Sequence, residues 1–154
     1  MAAAREGNGD MKKQEFIRRL DHPAIEAAIA SAERLTSGEI RVAVAPAAAP
    51  EPVPAAQKLF LKLGMTKTKH RNAVLLFVAP ASRTFAVIGD QGVHEQCGAA
   101  FWTELTTAMT GHFKDGDFTA GLLHGIARAG ALLAERFPRA ADDTNELPDR
   151  VAGP

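Results

Sequence analysis

Hydrophobic positions cluster most densely from Ala73 to Gly92. Ala73-Val74-Leu75-Leu76-Phe77-Val78-Ala79 is an unbroken apolar run, followed by Pro80-Ala81-Ser82-Arg83 and then Thr84-Phe85-Ala86-Val87-Ile88. An apolar run of this length, rich in β-branched and aromatic side chains and bounded by turn residues, predicts a strand buried on both faces. The linker from Pro80 to Arg83 is too short for a crossover, so the second run must return antiparallel. Gly89-Asp90-Gln91-Gly92 closes the unit.

Upstream, Lys12 to Leu20 predicts a short helix. Asp21 is placed to cap a second, with Pro23 in its first turn. Ile25, Ala28, Ile29, Ala32 and Leu35 give that helix one apolar face, and Ser37-Gly38 is expected to end it. Ile40, Val42 and Val44 alternate with Glu39, Arg41 and Ala43, which predicts a strand. Pro46 to Pro54 reads as a loop. Ala56, Leu59, Phe60 and Leu63 recur at helical spacing, and Gly64 stands where a C-terminal cap belongs. Strand, helix, strand in this order implies a right-handed crossover and a parallel first pair.

Beyond the hairpin, one helix is expected from Val93 to Gly111, on the order of 27 Å long. Its apolar stripe is Phe101, Leu105, Ala108, Met109 and Phe113, with Trp102 at the stripe's margin. After a cap at Asp117, Phe118, Leu122, Ile126, Ala129, Leu133 and Phe137 form a second stripe. The predicted fold class is α/β: a three-layer α/β/α sandwich with a small mixed sheet (parallel first pair, antiparallel hairpin) and a C-terminal helical pair. The expected organisation is a disordered leader over residues 1–10, a single domain over 11–137 and an acidic tail over 138–154.

Composition narrows the function. Lysine plus arginine and aspartate plus glutamate number 18 each, so net charge offers no general attraction to nucleic acid. A single cysteine, Cys97, excludes an intrachain disulfide and a cysteine zinc cage. No apolar stretch reaches the length of about 18 residues expected of a membrane span. These features predict a soluble, cytoplasmic monomer. Histidines 22, 70, 94, 112 and 124 show no metal-ligand spacing such as HExxH.

Four motifs in order, Ser37-Gly38-Glu39-Ile40, Asn72-Ala73-Val74-Leu75-Leu76, Arg83 with Gly89-x-x-Gly92, and Phe113-Lys114-x-Gly116-Asp117-Phe118-x-x-Gly121-Leu122, carry a resemblance to a known family. They resemble the TPM-domain family, which includes a thylakoid-lumen protein of photosystem repair described as an acid phosphatase. The resemblance implies an α/β/α sandwich. It also shows two departures: the family usually carries an aspartate immediately before the position of Asn72, where this chain has Arg71. It usually carries another aspartate a few residues beyond the hairpin's exit, where this chain has Gln96-Cys97-Gly98.

Strand direction selects the candidate site. Glu39, the basic stretch Lys67-Thr68-Lys69-His70-Arg71, Asp90, His94 and Glu95 should share one end of the sheet. The candidate set is Glu39, Lys69, Arg71, Asp90, His94 and Glu95. A helix start with basic side chains favours an anion, whereas carboxylates favour a hard cation. The plainer alternative makes Glu39 an exposed strand residue, Asp90 a helix cap and the lysines a solvated turn. The leading reading is a non-catalytic interaction or scaffold domain for an unidentified protein partner, needing no cofactor. The alternative is a phosphatase-like hydrolase of phosphomonoesters in which Glu39, Asp90 and Glu95 hold calcium or magnesium and Lys69 or Arg71 stabilises developing charge. A redox role for Cys97 is a third reading, set against a packed, inert thiol. The tail is expected to fold back at Asn145 to Asp149, anchored by Leu147, as a lid over the basic loop.

Overall fold

The computed structural model describes residues 2–5, 12–139 and 151. Its elements are β1 (Ala2–Arg5), α1 (Lys13–Arg18), α2 (His22–Glu33), β2 (Glu39–Val44), α3 (Pro52–Lys62), β3 (Ala73–Ala79), β4 (Thr84–Gly89), α4 (Gln91–Gln96), α5 (Ala99–Lys114) and α6 (Phe118–Arg136). The strand order is β1-β4-β3-β2. β2 pairs with β3 in parallel from Glu39↔Ala73 to Val44↔Val78, and β3 with β4 antiparallel from Val74↔Gly89 to Ala79↔Thr84. The predicted sandwich, with its parallel pair, hairpin and closing helices, is the observed architecture.

The seven-residue apolar run of β3 is buried throughout because helices cover both faces. Val74, Leu76 and Val78 join Ile40, Val42, Val44, Phe85 and Val87 in one core with Phe16, Ile25, Ile29, Leu122 and Leu133. Ala73, Leu75, Phe77 and Ala79 face the other way and join Ala56, Leu59, Phe60 and Met65. The strand period of two thus divides one sequence run between two cores.

Local chemistry sets the helix boundaries. Asp21 accepts from the Ala24 N–H at 3.1 Å and Asp117 from the Ala120 N–H at 3.0 Å, each satisfying a donor that the helix leaves free. Gly64 ends the α3 turn at φ 72°, a conformation that costs glycine little.

Four expectations are corrected. The leader is not structureless throughout: Ala2–Arg5 pairs antiparallel with β4, from Ala2↔Val87 to Arg5↔Thr84. Without it, the backbone groups on that side of β4 would be an open edge, and a strand satisfies them whatever its side chains. The helix expected from Val93 to Gly111 is two helices, α4 and α5, parted at Cys97-Gly98 where both residues are extended. α2 ends at Glu33 rather than at Ser37-Gly38, since Thr36 leaves the helix to bridge Pro138. Trp102, not Phe101, enters the core, at 2 % exposure. Leu105, Met109 and Phe113 face inward as expected, and at the start of α5 Trp102 takes the inward place, with Phe101 partly buried beside it.

The expected lid over Asn145 to Asp149 lies outside the described residues. Phe137 does emerge where expected, its carbonyl accepting from the Ser37 N–H at 2.9 Å beside the start of β2. Among the described residues, no helix is long and apolar enough to cross a membrane.

Candidate functional site

The site lies at the sheet end where β2 and β3 begin and β4 finishes. After Gly64 the chain makes a short 3-10 turn, Met65–Lys67, anchored by the fully buried Met65. It then folds on Thr68. The Thr68 carbonyl accepts from the Arg71 N–H at 3.3 Å, and its hydroxyl accepts from the Asn72 N–H at 3.2 Å. Asn72 is completely buried and its side-chain amide donates to the Ser37 hydroxyl at 3.1 Å. The basic stretch is therefore a turn tied to the β2 entrance through Asn72. Lys67, Lys69 and His70 point outward as exposed residues.

Arg71 turns inward at φ 52°, a left-handed conformation uncommon for residues other than glycine. Its Nε donates to Asp90 Oδ2 at 2.7 Å and its Nη2 to Asp90 Oδ1 at 2.8 Å. This is a bidentate fork between a planar guanidinium and a carboxylate. The hydrogen bonds, and then the charge, of Asp90 raise the Arg71 pKa above its already high ordinary value. Asp90 Oδ1 also accepts from the Gln91 N–H at 2.8 Å at the start of α4. Its backbone is fixed by Asp90 N–H donating to the Ala73 carbonyl at 2.9 Å. The anion expected at this helix start is thus an internal one, and both of its oxygens are engaged.

Gly92 holds the turn against α4. Its N–H donates to the Arg71 carbonyl at 2.8 Å. A Cβ at this position would stand 2.5 Å from the His70 carbonyl oxygen and 2.7 Å from that of Arg71.

Arg71 and Asp90 form one wall of an open groove of about 510 Å³. Phe60 and Leu61 of α3 and Ile88 of β4 supply its apolar floor and side; Gln57, Thr66, Gln91 and His94 complete the rim. Leu61 is 66 % exposed, one of two large apolar side chains so placed among the described residues.

Of the six candidate residues, the structure brings Arg71, Asp90 and His94 together along this groove. Lys69 and Glu95 are exposed and do not line it. Glu39 is neither an exposed strand residue nor a groove residue: it is buried, at 2 % exposure. It pairs in register with Ala73, so two strand spacings, about 10 Å, separate its backbone from that of Asp90. The expected metal trio Glu39, Asp90 and Glu95 is accordingly not assembled. Among the described residues, no three histidine, cysteine or carboxylate side chains are grouped to hold a metal ion.

Two residues of this end carried no signal in the sequence. Glu33, buried at 4 % exposure, accepts from the Ile40 N–H at 2.8 Å through Oε2. Leu61 falls outside the apolar stripe of α3 and so reads as an ordinary exposed position. Cys97 is half-buried, its thiol 3.0 Å from the Val93 carbonyl, and burial pushes its pKa up, which matches the expectation of an inert thiol.

The TPM domain family matches residues 11–132. No curated protein matches the chain. Eight chains of known structure resemble it. Among them is the NMR structure of BA42 protein from the psychrophilic bacterium Bizionia argentinensis, 35 % identical, with a TM-score of 0.80 over 96 % of this chain and 99 % of that one.

Proposed function

The chain belongs to the TPM-domain family, and from that premise we propose that it is a non-catalytic binding domain whose groove receives an apolar side chain of a protein partner. The observation that carries the reading is the Arg71–Asp90 fork. A general base or a metal ligand needs a lone pair free for the incoming proton or cation. Asp90 accepts three hydrogen bonds, two from Arg71 and one from the Gln91 N–H, which fill three of its about four acceptor sites, and a second cation brought to it would meet the charge of the bound guanidinium. The guanidinium stands where the family's usual pattern has an aspartate, so a positive charge replaces a negative one beside Asp90. What remains open is the apolar part of the groove, Phe60, Leu61 and Ile88, with polar groups at its rim. An apolar centre ringed by polar groups suits side-chain docking.

Peptides selected by display on the wild-type domain test this directly. The expected result is that selected peptides bearing an apolar anchor bind the wild type and lose binding to Leu61→Asp. The competing function is a divalent-cation-dependent phosphomonoester hydrolase. Release of p-nitrophenol from its phosphate ester, dependent on calcium or magnesium and abolished in Asp90→Asn, would overturn the binding reading.

A further inference from the structure

We propose that His112 of α5 and His124 of α6 form a two-histidine chelate for a divalent transition-metal ion of the Zn²⁺, Ni²⁺ or Cu²⁺ class. The site lies on the helical layer and is separate from the groove.

The close approach of α5 and α6 creates the pair. α6 carries Gly121 and Gly125 one turn apart on the side that meets α5. The Phe113 ring lies over Gly121 where a Cβ would collide with it. A Cβ on Gly125 would stand 2.9 Å from Met109 Sδ. The residues adjacent in sequence to this seam, His112 beside Phe113 and His124 beside Gly125, are thereby brought face to face across it. Their ring centroids are 5.8 Å apart, with the planes inclined at 45°.

That spacing is compatible with a shared metal ion. With metal–nitrogen bonds of about 2.1 Å, two imidazoles on a tetrahedral ion have ring centres roughly 5–6 Å apart. Neither imidazole hydrogen-bonds to a described residue, so the ring nitrogens carry no competing protein partner. Both residues are half-buried, which limits the rotamer freedom to be lost on binding while leaving the pair reachable by an ion. Imidazole nitrogen suits zinc, copper and nickel and is a poor ligand for calcium or magnesium. Two protein ligands leave positions on the ion for water. Because the ligands come from two helices, the ion would staple α5 to α6 and stabilise the folded state by mass action.

The test uses the full chain with Cu²⁺ and Zn²⁺ alone as probes. Substoichiometric Cu²⁺ should broaden amide signals centred on residues 109–115 and 121–127. Calorimetric Zn²⁺ affinity should fall on the order of ten- to a hundredfold in His112→Asn and equally in His124→Asn, since the second imidazole acts at high effective concentration. It should be unchanged in His70→Asn. Glutamine replaces asparagine if either variant fails to fold. Absence of Zn²⁺ binding by the wild type would overturn the proposal. So would Cu²⁺ broadening centred elsewhere, or affinity that survives loss of either histidine.

Discussion

Replacing Gly92 by alanine should destabilise the protein, although alanine is the better helix former. Gly92 lies in the first turn of α4, so helix propensity alone predicts a gain of up to about 1 kcal/mol. The structure opposes this with two backbone atoms: the new Cβ would stand 2.5 Å from the His70 carbonyl oxygen and 2.7 Å from that of Arg71. Neither is the far end of a flexible side chain, so the turn or the helix must move. Overpacking of this kind costs about 1–3 kcal/mol. The shift also strains or breaks the Gly92–Arg71 backbone hydrogen bond, a further loss of about 0.5–1.5 kcal/mol. The net expectation is a destabilisation of roughly 1–3 kcal/mol. For a chain of this size that corresponds to a fall in Tm of about 3–10 °C. Urea denaturation followed by far-UV circular dichroism measures it, with Gly111→Ala as the internal contrast. Gly111 is also helical, but a Cβ there meets no atom within 4 Å, so the same substitution should stabilise by about 0.5–1 kcal/mol. Amide exchange at Arg71 and Asn72 should accelerate in the Gly92 variant alone. If both variants shift the midpoint in the same direction, or if Gly92→Ala is as stable as the wild type, the close approach does not govern this site.

Two other outcomes follow from local geometry. Asp117→Ala removes the acceptor for the Ala120 N–H and should cost about 1 kcal/mol in thermal or chemical unfolding, with earlier exchange in the first turn of α6; an unchanged midpoint would show that the cap contributes nothing. The Cys97 thiol should react sluggishly with iodoacetamide at neutral pH and more readily as pH rises past the ordinary thiol range, because burial holds its proton. The folded state keeps that proton more tightly than the unfolded chain, so the thiol's contribution to stability is full below the unfolded thiol pKa and declines as pH rises through the folded one. Rapid alkylation at neutral pH would refute the assignment.

Much of the fold was legible in the residues because its determinants are local. The caps at Asp21 and Asp117 depend on a carboxylate and an N–H three residues away. The double burial of β3 follows from an apolar run with no polar alternation. The short Pro80 to Arg83 link forces antiparallel return, and the longer α3 connection permits parallel pairing. Even the gathering of Arg71, Asp90 and His94 at one sheet end followed from strand direction. The residues between Val93 and Gly111 misled because the apolar periodicity runs through Gly98, although this poor helix former is where the chain leaves one helix and caps the next. Trp102 and Phe101 were hard to separate because both stand in the first turn of α5 within reach of the stripe through Leu105, Met109 and Phe113, and packing decides which ring is covered.

The sequence by itself determined the order of elements, the layers and the end of the sheet at which polar residues collect. These depend on hydrogen bonds and periodicities spanning a few residues. Only the tertiary structure decided which of those polar groups meet. Arg71 and Asp90 pair across 19 positions because a left-handed backbone turns the guanidinium inward. Glu39 sits two strands away because register places it there. His112 and His124 face each other because two glycines let α6 settle against α5. Each outcome rests on distances between elements of a few ångströms, which packing sets and local pattern does not record.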